Sequence, residues 1–133
     1  VRKLRIFYAS HATSSCLHSC RLWWANLYCS LRDMGHDVVA FEYDFAPHLD
    51  HADPRIPAHR EFIEIHRPRL EQALLEQFER AHRAQPFDLF FSYFYSAFAR
   101  PHVIHSIRQH GVLTVNFFCN ASWQMHLIEE LAP

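Results

Sequence analysis

Ser10, His11, Thr13 and Ser14 bring four side chains that can donate, accept or move a proton into one short stretch. A second group, Asn116, Cys119, Asn120 and Trp123, stands far along the chain, and Tyr93 and Tyr95 add two phenols between them. A histidine just ahead of a helix feels the positive end of the helix dipole. That field lowers its pKa and suits it to act as a neutral base toward a hydroxyl. Hydroxyls and amides orient a polar ligand, and aromatic rings supply a wall. Plainer roles compete with these. Twelve histidines are spread over the chain, and the default for any one is a partly exposed loop residue bonded to backbone. Ser14 or Ser15 caps a following helix, which leaves ligand contact a secondary role.

Other chemistries find less support. Gly35 and Gly111 are the only glycines, and the turn over residues 10–15 has none. Both Gly-x-Gly-x-x-Gly and the phosphate-cradling Gly-x-x-x-x-Gly-Lys-Ser/Thr are absent, which argues against dinucleotide or ATP binding in this segment. Cys16 and Cys20 share a helical face, whereas Cys29 projects from roughly the opposite one. Metal sites need three or four converging ligands, so these thiols read as small buried hydrophobes. His48-x-x-His51 falls in a loop and His102-x-x-His105 on a helix without acidic partners, so both read as surface pairs. Glu129-Glu130 reads as a solvated helix face. No metal site is expected.

The elements that must position the candidates are read from periodicity. Leu4-Arg5-Ile6-Phe7-Tyr8-Ala9 predicts a first strand. A helix over 16–34 comes after it, with Leu17, Trp24, Leu27, Leu31 and Met34 as its apolar stripe, widened by Trp23 and Tyr28. Gly35 ends it, because glycine tolerates the left-handed conformation at the residue after a helix. Val38-Val39-Ala40-Phe41 predicts a second strand. Residues 45–58, carrying Pro47, Pro54 and Pro57, form a long loop. A helix over 60–84 comes next, kinked or divided at Pro68, with Leu70, Leu74, Phe78 and Ala81 facing inward. Leu89-Phe90-Phe91-Ser92-Tyr93-Phe94 is a third strand, apolar on both faces. Pro101 opens a helix reaching His110, and Gly111 stops it. Residues 112–118 form a fourth strand, and a final helix spans 121–131.

Strand and helix alternate throughout, and helix-Gly-strand occurs twice. This grammar predicts an α/β, Rossmann-like parallel sheet of about four strands flanked by helices, with right-handed crossovers. Ligands of such sheets bind beyond the carboxyl ends of the strands, where strand order reverses. For an order 3-2-1-4 the crevice lies between the first and fourth strands. Ser10, His11, Thr13 and Ser14 empty into it from one side and Asn116, Cys119, Asn120 and Trp123 from the other, with Tyr93 and Tyr95 as a wall.

At 133 residues the chain suits one domain spanning 1–133. Half its residues are apolar and a fifth charged, the balance of a globular protein. Its net charge of −1 offers no attraction to nucleic acid or an acidic membrane. No apolar run reaches the length of a membrane span. The cysteines, three in one helix, do not resemble a secreted disulfide framework, so a cytoplasmic protein with reduced thiols is expected. The chain lacks an initial Met and stops near a helix end, which suggests a piece of a longer protein.

Thr114-Val115-Asn116-Phe117-Phe118-Cys119-Asn120, followed by Trp123, resembles a segment of glycosyltransferase-like proteins related to spore-maturation proteins, which share the two-domain GT-B fold with group 1 glycosyltransferases. The opening Leu4-Arg5-Ile6-Phe7-Tyr8-Ala9-Ser10-His11 is similar to their first strand and loop. Leu31-Arg32-Asp33-Met34-Gly35-His36-Asp37-Val38 resembles the run leading into their second strand, and Pro86-Phe87-Asp88-Leu89-Phe90-Phe91 their third. The resemblance covers nearly the whole chain but only the front half of such an enzyme. It implies an N-terminal, acceptor-side domain with no cofactor of its own, while a C-terminal GT-B domain holds most of a nucleotide-sugar donor. Transfer to an acceptor hydroxyl on a small molecule or glycan would then occur in the cleft between domains, leaving this chain alone inactive. In an inverting enzyme His11 is placed as general base; in a retaining one it only positions groups. Asn120 departs from relatives that carry an acid near that position, since an amide cannot act as a base.

Two other classes compete. One is a non-catalytic Rossmann-like binding module, either a degenerate transferase or a flavodoxin-like domain. Its phosphoryl-receiver form would need an acidic cluster where Ser10-His11 and Ser92-Tyr93 stand. The other is a partner-binding surface built from Trp23, Trp24, Tyr93 and Tyr95, although such aromatics at regular spacing usually pack inside.

Overall fold

The computed structural model describes residues 2–10, 22–44, 52–119 and 121–131. Four strands, β1 (Arg5–Ser10), β2 (Asp37–Ala40), β3 (Leu89–Tyr93) and β4 (Leu113–Asn116), form one sheet. Every pairing is parallel. The expected α/β, Rossmann-like class is therefore what the chain adopts.

The strand order is not the expected 3-2-1-4. It is β2-β1-β3-β4. β3 lies against β1, with Phe90 beside Phe7 and Phe91 beside Tyr8, and it separates β1 from β4. The physical reason lies in composition. β3 is apolar on both faces and gains most from an interior position, covered above and below. β4 alternates Leu113 and Val115 with Thr114 and Asn116 and tolerates the edge. Asp88 reinforces the choice: its carboxylate accepts the Arg5 backbone N–H at 2.8 Å and pairs with Arg2, while its own N–H donates to the Arg5 carbonyl.

One face of the sheet carries α2 (Pro57–Ala84) and α3 (Pro101–Arg108). Here Phe7, Phe78, Phe87 and Phe90 meet edge to face or stacked, with ring centroids 5.3–6.2 Å apart. Leu70, Leu74 and Phe78 of α2 are fully buried, as their spacing predicts, and Ala81 is partly so. Pro68 does not divide this helix, which begins at Pro57 rather than residue 60 and runs unbroken for 28 residues. The opposite face receives a π-helix, Trp24–Cys29, continued by α1 (Ser30–Asp33). The expected regular α-helix thus contains a wider turn, and Trp24 and Tyr28 stack at 3.9 Å above Tyr8. Met34, expected in the apolar stripe, is 60% exposed. Gly35 (φ 89°) and Gly111 (φ 76°) take the left-handed conformation assigned to them. The final helix is replaced by a short one, α4 (Ala121–Gln124), and two 3-10 turns, Met125–Leu127 and Glu129–Leu131.

At the amino end of the sheet the Phe87 N–H donates to Nδ1 of His82 at 3.1 Å. Burial, then the neighbouring His110 and Arg5, lowers the His82 pKa from its usual value. The unfolded chain therefore takes up this proton first as pH falls below about 6.5. As far as His82 is concerned, stability is undiminished above that pH and declines on acidification below it. Urea midpoints should drop between neutral pH and pH near 5.5 more in the native protein than in His82→Gln, whose amide oxygen still accepts the Phe87 N–H. Equal drops would show that the acid sensitivity comes from other groups.

Candidate functional site

In a parallel sheet of this order the strand order reverses between β1 and β3, so the topological switch point lies there and not at the expected β1–β4 position. Ser10 ends β1 beside Tyr93 of β3 and is 2% exposed. Tyr93 and Tyr95 are equally buried. The Tyr93 ring packs against Trp23 and Phe117, and that of Tyr95 against Phe98 and Phe118, with centroids 5.5–5.6 Å apart. The Tyr93 hydroxyl lies 3.2 Å from the Cys119 sulfur, and burial raises its pKa above the usual phenol value. It is a hydrogen-bonding group, with no proton to release near neutral pH.

Asn116 is committed to the fold. Its side-chain oxygen accepts the Phe94 backbone N–H at 2.9 Å and the Ser92 hydroxyl at 2.8 Å, while its amide nitrogen donates to the Phe94 carbonyl at 3.1 Å. This clamp continues the β3–β4 register past the end of the strands. Asn116→Ala leaves the Phe94 peptide unpaired and should lower the unfolding free energy by about 1–3 kcal/mol, read from a urea curve. An unchanged midpoint would show that water replaces the amide without cost.

Trp123, four residues beyond Cys119, is 85% exposed. His11, Thr13, Ser14 and Asn120 lie outside the described residues. The structure therefore brings together Ser10, Tyr93, Tyr95 and Cys119 at one end of the sheet, and leaves Asn116 locked beside them. Trp23 joins this cluster from the opposite helical layer; its spacing alone marks it as core.

Two features carry no sequence signal. Arg55 chelates Asp53 with paired donors at 2.7–3.1 Å, and its Nη2 donates to Nε2 of His126 at 2.7 Å. Hydrogen bonds from Arg55 hold the Asp53 carboxyl well below the usual range. This cluster ties the segment ahead of α2 to the first 3-10 turn, and no local pattern announces it. The second is a groove of about 840 Å³ on the α3 side of β4, bordered by Ile104, Arg108, Thr114, Asn116, Ile128 and Glu130 among others. It lies along the sheet edge rather than at the switch point.

No protein-family model, curated protein or solved structure matches the chain. Among the described residues, no three His, Cys, Asp or Glu side chains converge as metal ligands, and no helix is long and apolar enough to cross a membrane.

Proposed function

We propose that the chain is the acceptor-side domain of a glycosyltransferase, moving a sugar from a nucleotide-sugar donor to an acceptor hydroxyl in a cleft shared with a C-terminal GT-B domain. The observation that carries this reading is the carboxyl end of the sheet: hydroxyl-bearing Ser10 and Tyr93 lie buried among aromatic rings at the β1–β3 switch point, and Trp123, exposed, comes four residues after the Cys119 that meets the Tyr93 hydroxyl. Sugars present both hydroxyls and apolar C–H faces, so the exposed Trp123 ring would carry the contact while the buried hydroxyls and rings shape the strand ends beneath it. His11 keeps its role as candidate base, with Thr13, Ser14 and Asn120 completing the acceptor contacts. No cofactor is needed beyond the donor itself, held mainly by the other domain.

The 2-1-3-4 order favours a second reading. Flavodoxin-like folds share that order and bind at the same switch point, so a non-catalytic small-molecule-binding module fits this topology too.

Titration with mono- and oligosaccharides, followed by tryptophan fluorescence, tests the acceptor side. Quenching or a blue shift that is lost in Trp123→Ala is expected, because the exposed indole is the ring free to stack on a sugar. Calorimetry of the full two-domain protein with UDP- and GDP-sugars tests the donor side. Silence toward every sugar in both experiments would sink the transferase reading and leave the binding module.

A further inference from the structure

The loop after β3 is covered by a later segment of the same chain. Residues 93–99 are all buried, although loops at the carboxyl ends of parallel strands ordinarily form the open, ligand-facing side of a sheet. Part of the cover is the 3-10 turn Met125–Leu127, in which Leu127 is 3% exposed. Two donors of Ser96 converge on one oxygen of that turn. The Ser96 backbone N–H at 2.6 Å and its hydroxyl at 2.5 Å both donate to the Leu127 carbonyl. From the other side, Nη1 of Arg67 on α2 donates to the Ser96 carbonyl at 2.9 Å.

Packing of the turn does not account for Arg67. The side chain is partly buried, its Nε is buried without a hydrogen-bond partner, and no carboxylate pairs with it among the described residues. Glu71, one turn along α2, is committed to Arg100. Buried donors are ordinarily satisfied and buried charges paired, so this guanidinium is short of an anionic partner.

We infer that Ser96 and Arg67 form a binding site for an anionic oxygen, carried by a carboxylate or a phosphate group, and that the Leu127 carbonyl stands in for it in the closed state. A peptide N–H and a hydroxyl aimed at one oxygen, with a guanidinium alongside, are the donors such groups take. A carbonyl meets the two hydrogen bonds but brings no full charge, which leaves Arg67 uncompensated. The covering segment is suited to lift away. It consists of the short 3-10 turns Met125–Leu127 and Glu129–Leu131, whose hydrogen-bond geometry is poorer than that of an α-helix. Its other polar anchor is His126, held by Arg55. This site is independent of the sugar-transfer reading.

Inorganic phosphate and acetate are the probes, followed at the Ser96 amide in proton–nitrogen NMR spectra of the chain at constant ionic strength. Leu127→Ala loosens the cover and should bind at least one probe more tightly than the native chain. Adding Arg67→Gln to that variant should weaken binding by about tenfold or more, the effect of losing a charge-assisted contact. Should Leu127→Ala unfold, His126→Ala loosens the same segment at its other anchor and takes its place. A response to phosphate alone identifies a phosphate group as the ligand, and a response to acetate a carboxylate. A Ser96 amide unmoved by both anions in the folded, loosened variant, or binding indifferent to Arg67→Gln, would overturn the proposal.

Discussion

Phe78→Ala is expected to lower the unfolding free energy by about 3–5 kcal/mol. Phe78 projects from α2 with no exposed surface and touches Phe7 of β1, Phe90 of β3 and Phe87 ahead of β3 through ring contacts at 5.5–6.2 Å. It is the side chain by which one helix holds two neighbouring strands together. Truncation forfeits the transfer free energy of the ring and opens a cavity among other rigid rings, which cannot collapse readily to fill it. A domain of this size has about 5–15 kcal/mol in total, so the variant should unfold at a much lower urea concentration. Phe78→Leu, which refills most of the space, should recover over half of the loss. A loss below about 1 kcal/mol for alanine would mean that α2 does not rest on the sheet through this ring.

Glu71→Ala should cost about 2–4 kcal/mol, by a different mechanism. Glu71 is 4% exposed, and its carboxylate accepts the backbone N–H and Nε of Arg100 at 2.7 and 3.0 Å, with Nη2 closing a bidentate pair. The bond to the backbone N–H satisfies one of the orphan donors ahead of α3. Removing the carboxylate strands a cation and a peptide donor together. The expected cost lies toward the low end for buried pairs because the Arg100 side chain is 41% exposed and water can reach it. Glu71→Gln retains an acceptor for the peptide and should cost less than alanine. Additive losses in Glu71→Ala and Arg100→Ala, measured as a double-mutant cycle, would show that the two side chains are not coupled.

Much of the architecture is legible in the sequence alone. Gly35 and Gly111 mark two helix ends because only glycine takes positive φ at little cost, and both do so. The Leu70-Leu74-Phe78 spacing marks the buried stripe of α2. Other readings fail for physical reasons. Pro68 suggests a break, yet packing of the α2 stripe along the sheet outweighs one missing hydrogen bond. Met34 matches a helical period, but the π-turn at Trp24–Cys29 shifts the phase of the residues after it. The candidate site is legible as residue types and only partly as roles. Asn116 looks like a ligand-facing amide and proves to clamp the Phe94 peptide, because a free peptide beyond the strand end demands a partner.

Local pattern was enough to determine that this chain alternates strand with helix and lays its strands parallel, since apolar periodicity, glycine stops and the right-handed crossover are properties of short segments. Strand order was decided only in the tertiary structure. It depends on which whole-sheet arrangement best covers both faces of Leu89–Tyr93, and that comparison involves segments far apart in sequence. Placing this strand beside β1 buried the rings of Phe7, Phe78 and Phe90 together. It also moved the topological switch point to the β1–β3 junction and left β4 as the outermost of the four described strands.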